Sequence, residues 1–349
     1  MKSLYCTADT IGTETGGGVV TYNELLALKG ISSEITVIER KDIEPTKFHQ
    51  VDSPFLEDYF ALEQIKDKHF DLAHFYAGCF SATIRWLKSR GTKVSYTIAA
   101  HDRKVSIEEF GRLGLEYPFH NISDDDLFNI YIEGQKLADM VIAPSTKSAQ
   151  LLKSEGCKKV VVIPHGCVLP KQVKPIPERF DVGYLGAVGP DKSLIDLIRA
   201  WAMLNYSDST LILAGSGTET LEPFIRQISN RGQFKILGRV PDISNVYNSC
   251  SVYVQPSCTE GFGIEVLEAM SYGRPVIVTE GVGAKDCVKN GITGFIIPIR
   301  SPQDIAGKID CLKQNRETLL EMGARARIEA KQYAWNKIRK CYSQIWLEL

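Results

Sequence analysis

With 349 residues, 44% apolar and 24% charged, the chain has the composition of a globular protein long enough for two domains of ordinary size. Its formal net charge of −1, split as −4 over residues 1–168 and +3 over the remainder, excludes a general electrostatic pull toward nucleic acid or anionic membrane. Nine scattered cysteines, odd in number and without a CxxC pair, point to neither a disulfide framework nor a zinc knuckle and fit a reducing cytosol. No run approaches the roughly 20 apolar residues of a membrane span. Met1–Cys6 leads into a strand pattern rather than a signal-peptide core, so a cytoplasmic location is expected. The small basic patch Arg85-Trp86-Leu87-Lys88 leaves weak peripheral membrane association open, although a solvated helix face accounts for it equally.

Along the chain, short β-branched and aromatic runs alternate with longer amphipathic stretches, the pattern of parallel βα units. Strands are expected at Ser3–Cys6, Ile35–Glu39, Asp71–Tyr76, Val94–Ala100, Met140–Pro144 and Val160–Pro164, with helices near 20–29, 55–67, 81–90, 124–138 and 146–155. Residues 165–179 carry three prolines and no periodicity and read as an interdomain connection. A second series follows, with strands at Asp181–Gly186, Thr210–Gly215, Phe234–Gly238, Val252–Pro256, Pro275–Thr279 and Phe295–Ile299 and helices at 193–204, 219–230 and 263–272. Two doubly wound α/β domains are therefore expected, 1–168 and 169–334. Ligands in such sheets bind at the carboxyl ends of strands, and two facing arrays would form a cleft between domains.

The chemistry concentrates after the strand at Val252. Ser257–Phe262 is a loop at the strand's carboxyl end, and Gly263–Tyr272 should be a helix closed by Gly273. Gly261 and Gly263 let backbone N–H groups approach a ligand, and the helix N-terminus adds partial positive charge, which makes an anion site without metal or lysine. Glu268 falls on an apolar helix face among Ile264, Leu267 and Tyr272, where a carboxylate needs full hydrogen bonding. A ribose diol would satisfy it; so would a basic partner or water. Glu265 is expected on the solvated side.

The segment Ser257–Val276, with Glu260 and Glu268 seven residues apart and Gly273-x-Pro275-Val276 following, resembles the E-x7-E signature of retaining GT-B glycosyltransferases of family 4. The likeness runs in order through the N-terminal glycine loop, His101-Asp102, Ile163-Pro-His-Gly166, Lys192, Gly238-Arg-Val240 and Gly291-x-Thr-Gly294. Ala334-Trp335-Asn-Lys-Ile resembles the start of the helix that crosses back to the N-terminal domain in that fold.

The resemblance implies a GT-B fold with an acceptor-binding domain 1–168 plus 335–349 and a nucleotide-sugar-binding domain 169–334. It implies transfer of a sugar from a UDP-, GDP- or ADP-sugar to a hydroxyl of a glycan, lipid-linked or small-molecule acceptor, with retention and without a metal or other cofactor. Glu268 would hold the ribose. Glu260, with Gly261, Phe262, Gly263 and Ile264, would contact donor sugar and phosphate. Lys192 would grip the diphosphate, or stand solvated. Where the family has an arginine five residues earlier, this chain has Ala187. Arg239 and Val240 would flank the base, though Arg239 could equally lie on the surface. Gly17 and Gly18 would approach the donor phosphate, or serve close packing. His101 would face the donor sugar, or be a buried structural histidine. Acceptor contacts would come from the glycine loop and a loop over 103–122.

Other readings of single motifs are weaker. Asp124-Asp-Asp126 contains a D-x-D that could hold a metal, but its place at a helix start explains it through capping and dipole complementarity. Gly215-Ser-Gly217 lacks the third glycine and the acidic ribose ligand of a dinucleotide fold. A sugar phosphorylase on the same fold and a non-catalytic nucleotide-sugar-binding subunit of a glycan-assembly complex are the alternatives, the latter because of Ala187.

Overall fold

A computed structural model describes residues 1–12, 15–39, 42, 54–99, 102–115, 124–228 and 233–349. The chain divides into two compact units, the first comprising Met1–Ala100, Pro118–His165 and Trp335–Leu349, the second His101–Tyr117 and Gly166–Ala334.

The first unit holds a six-stranded parallel sheet of β1 (Lys2–Thr7), β2 (Glu34–Ile38), β3 (Leu72–Tyr76), β4 (Lys93–Thr97), β5 (Met140–Ala143) and β6 (Val160–Val162), in the order β2-β1-β3-β4-β5-β6. Helices α1 (Gly16–Lys29), α2 (Pro54–Ile65), α3 (Ser81–Ser89), α5 (Asp124–Leu137) and α6 (Thr146–Ser154) connect these strands; α4 (Arg103–Arg112) belongs to the second unit. Leu72–Tyr76 and Met140–Ala143 are buried along their whole length, and Met140–Ala143 is apolar on both faces, as a sheet covered on both sides requires. The order reverses between β1 and β3, which places the glycine loop after β1 at the switch point of this sheet.

The second unit repeats the design. Its strands are β7 (Val182–Leu185), β8 (Thr210–Ala214), β9 (Gln233–Gly238), β10 (Val252–Gln255), β11 (Val276–Thr279) and β12 (Gly294–Ile297), in the order β12-β11-β10-β7-β8-β9, all parallel. Around them lie α7 (Leu194–Leu204), α8 (Glu222–Ile228), α9 (Ser244–Ser249), α10 (Ile264–Ser271), α11 (Pro302–Gln314) and α12 (Arg316–Ala330). One core gathers Trp201, Leu213, Val254 and Ile309; another, on the opposite face, gathers Tyr247, Tyr253, Phe262 and Leu267. Here the order reverses between β7 and β10, so the loops after Leu185 and after Gln255 emerge side by side.

The last helix, α13 (Trp335–Leu347), returns to the first unit. Trp335, Ile338, Tyr342 and Trp346 recur at helical spacing and are buried, Ser343 donates to the Ala27 carbonyl of α1 at 3.0 Å, and the Trp346 ring lies 4.8 Å from that of His74. His74 in turn meets the fully buried Glu24 at 3.2 Å and Ser95 at 2.8 Å, and Tyr5 donates to Glu24 at 2.9 Å, so α1, β1, β3 and β4 share one polar knot under the returning helix. Among the described residues, no helix is long and apolar enough to cross a membrane.

The segment read as a loop over 103–122 contains a helix, α4, and that helix is part of the second unit. Its buried positions are Ser106 and Glu109, both polar, so no hydrophobic period announces it. Residues 116–122 of that loop lie outside the described residues.

Candidate active site

The site is built on the two loops at the switch point of the second sheet. The first leaves β7 and is held by tyrosine hydroxyls: Tyr253 donates to the Leu185 carbonyl at 3.0 Å, and Tyr184 to the Ala187 carbonyl at 3.0 Å. Gly215, after β8, sits so close that a Cβ would lie 1.9 Å from the Gly186 carbonyl oxygen. That close approach accounts for the Gly215-Ser-Gly217 motif without a dinucleotide. The loop then makes a single 3-10 turn, Pro190–Lys192, and passes through Ser193 in a left-handed conformation with φ +49° before α7 begins.

The second loop leaves β10 and is pinned on two sides. Cys258 N–H donates to the Asp191 carbonyl at 2.7 Å, tying it to the first loop. Glu260 N–H donates to Gly281 and Gly283 N–H to Glu260, at 3.1 and 3.0 Å, and Ala284 N–H donates to Phe262 at 2.7 Å. Gly281 must be glycine, since a Cβ would meet the Cys258 carbonyl oxygen at 2.2 Å. Phe262 is buried in the core beneath, and Gly263 enters α10 at φ +90°, a conformation that glycine adopts at little cost.

These loops, from the neighbouring strands β7 and β10, bring Lys192 and Glu260 into an ion pair. Burial works against the Lys192 ammonium, but the charge and hydrogen bond of Glu260 outweigh it and hold the amine's pKa above its ordinary value. Gly261, Phe262, Gly263 and Ile264 lead from Glu260 into the amino end of α10, whose dipole favours an anion.

Glu268 stands one turn further along. Tyr247 of α9 donates to its Oε2 at 2.8 Å, and among the described residues no cation pairs with it. Burial raises its pKa, with the Tyr247 bond pulling the other way. Of the alternatives to a ribose diol, a basic partner is absent among those residues, and a tyrosine 21 positions upstream holds one carboxylate oxygen. Nothing local in the sequence points to Tyr247.

Glu265 corrects the expectation of a solvated carboxylate. It lies half-buried in the first turn of α10, and burial first, then the charges of Glu260 and Glu268, push its pKa up from 4.5 to about 7. Helical spacing alone placed it away from Glu268, without the Glu260 loop that folds over the helix end.

Arg239 is exposed just beyond β9, while Val240 packs on the core that contains Tyr247 and Phe262. Gly17 and Gly18 lie in the first unit, in the first turn of α1. A Cβ on Gly17 would fall 2.0 Å from Asp9 Oδ2, and the Gly18 N–H is capped by Thr15 at 3.0 Å. His101 lies outside the described residues. Asp124–Asp126 opens α5, and the side chains in question also lie outside them. Arg274 is fully buried and donates to the backbone carbonyls of Tyr247 and Lys174 at 2.6 and 2.8 Å, an anchor for α9 that the motif did not reveal.

Residues 169–329 match the family described as glycosyl transferases group 1. The capsular polysaccharide biosynthesis glycosyltransferase CapM of Staphylococcus aureus is 32% identical over 184 residues, covering 50% of this chain and 48% of CapM. The chain spans about half the length of this and other curated relatives that it matches. Among solved structures, sucrose-phosphate synthase from Thermosynechococcus elongatus superposes with a TM-score of 0.78 at 18% identity, over 100% of this chain and 99% of that one. HepE of Anabaena, solved in complex with UDP and glucose, superposes with a TM-score of 0.73 at 19% identity over the full length of both chains. Residues 169–329 therefore belong to the glycosyl transferases group 1 family, on a chain with the GT-B fold.

Proposed function

We propose that the protein is a retaining glycosyltransferase that moves a sugar from a nucleoside-diphosphate sugar to an acceptor hydroxyl. The observation that carries this reading is the placement of Lys192, Glu260, the α10 amino end and the Tyr247-bound Glu268 along one stretch of a switch-point crevice. In sequence order along α10 these groups offer sites for a sugar hydroxyl, an anion and a ribose diol. Glu268, with one oxygen held by Tyr247, would accept from the ribose. Lys192 and the helix end would stabilise the departing diphosphate, the main task in this chemistry. Retention would follow from a leaving phosphate that takes the acceptor proton on its own face, so no separate base is assigned. No protein-held metal enters this scheme; the Lys192 ammonium and backbone N–H groups carry the charge stabilisation. The family match and the UDP complex of HepE support a nucleotide sugar as donor, and CapM supports a glycan product.

A thermal-shift panel of UDP-, GDP- and ADP-sugars tests the donor class. One nucleotide class should raise the midpoint by several degrees at a hundredfold excess over Kd, as linkage requires. In Lys192→Ala that shift should shrink and turnover should fall about 100-fold, the size of losing one charge-stabilising donor. A flat response to all three classes would defeat the reading.

A further inference from the structure

Helix α4 lies between β4 and β5 in the chain, yet it is fastened to the second unit at three points, two of which adjoin the candidate active-site pair. At its start, Asp102 N–H donates to Thr259 Oγ1 at 3.0 Å, and Thr259 is the fully buried residue before Glu260. At its end, Arg112 Nη2 lies 3.0 Å from Asp196 Oδ2. Asp196, 2% exposed, accepts from Ser193 Oγ at 2.6 Å, and Ser193 is the left-handed residue directly after Lys192. On its flank, Arg300 donates to Glu109, which is 1% exposed, and to Glu108 at 2.8 Å. Cys258, buried beneath, has its thiol pushed up to about 11 by desolvation.

Two buried carboxylates demand partners, and a structural bolt alone could have found them anywhere on the unit. The chain instead places them so that α4 grips the neighbours of Lys192 and Glu260. A non-glycine residue at φ +49° is costly and persists only when its surroundings hold it. Asp196 supplies that hold through the Ser193 hydroxyl, and Arg112 orients Asp196; the other cation nearby, Arg199, stands 3.8 Å from its far oxygen.

We propose that α4 is a positioning element of the donor site, and that Arg112, acting through Asp196 and Ser193, sets the direction of the Lys192 ammonium toward Glu260 and the donor diphosphate. The proposal rests on the nucleotide-sugar reading of that site, and its test separates the two. The lysines are converted to 13C-dimethyl-lysines, and the Lys192 signal is assigned by its loss in Lys192→Arg. That signal should stand apart from the exposed lysines in the wild type, collapse toward them in Arg112→Gln and recover in part in Arg112→Lys. Affinity for the stabilising nucleotide sugar should fall about tenfold in Arg112→Gln when Lys192 is present and less than about twofold in a Lys192→Ala background, the coupling expected of residues that act as one unit. An unmoved Lys192 signal, or additive losses in the cycle, overturns the proposal. If the wild type binds no nucleotide sugar while the signal still follows Arg112, the functional reading falls and the coupling stands. Should Arg112→Gln fail to fold, Arg112→Lys makes the same comparison, with partial displacement expected and none contradicting it.

Discussion

Glu265 shows how a site carries a cost at a single residue. Its ionised form is disfavoured in the fold by burial and by Glu260 and Glu268, so the charge is resisted from an unfolded value near 4.5 up to about 7. The penalty is absent below the lower value, grows between the two and is complete above the upper one. Glu265→Gln should therefore be more stable than the wild type at pH 8, by about 1–2 kcal/mol once its partial exposure is allowed for, and indistinguishable near pH 4.5. Urea titrations at the two pH values check this; an equal difference at both would contradict it. The same residue marks what sequence conveys at this scale. The positions of Glu260 and Glu268 were legible because the segment around them dictates a local strand, loop and helix, whereas Lys192 was singled out by resemblance alone. Tyr247, Asp196 and Arg112 were not legible, because each meets its partner across the fold: Tyr247 reaches Glu268 from another helix, and Arg112 reaches Asp196 from 84 positions away.

At the scale of elements, the β10–loop–α10 unit was readable because an apolar strand, a glycine pair and an apolar helix face follow one another without a gap. Helix α4 was not, since the face it buries presents Ser106 and Glu109 and its stability comes from ion pairs rather than an apolar stripe. The pinning of the Ser257–Gly263 loop also depends on a residue outside the motif. Gly281→Ala would drive a methyl into the Cys258 carbonyl and shift the Ser257–Gly263 backbone. Overpacking of this kind costs about 1–3 kcal/mol, and nucleotide-sugar affinity should fall with it. A variant that loses stability but binds the donor as tightly as the wild type would show that the loop's position does not matter to the site.

For the whole molecule, the two series of βα units read along the sequence correspond to the two six-stranded sheets, and the Pro-rich 165–179 segment lies where the chain passes from one unit to the other. The periodicity of buried parallel strands made that division visible. It could not show that α4 leaves the first half to join the second, because membership is set by Asp102, Glu109 and Arg112 meeting residues more than 80 positions away. The return of α13 to the first unit was visible only through resemblance, although its Trp335, Ile338, Tyr342 and Trp346 spacing explains why it docks there. These features bear on the proposed donor site within one unit, in which Glu268 is the proposed ribose contact. Calorimetry with the stabilising nucleoside diphosphate and its 2′,3′-dideoxy analogue tests this most directly. The wild type should prefer the ribonucleotide by about tenfold or more, the value of a hydrogen-bonded charged group, and Glu268→Ala should bind both alike and weakly. An unchanged ribonucleotide affinity in Glu268→Ala would contradict the account.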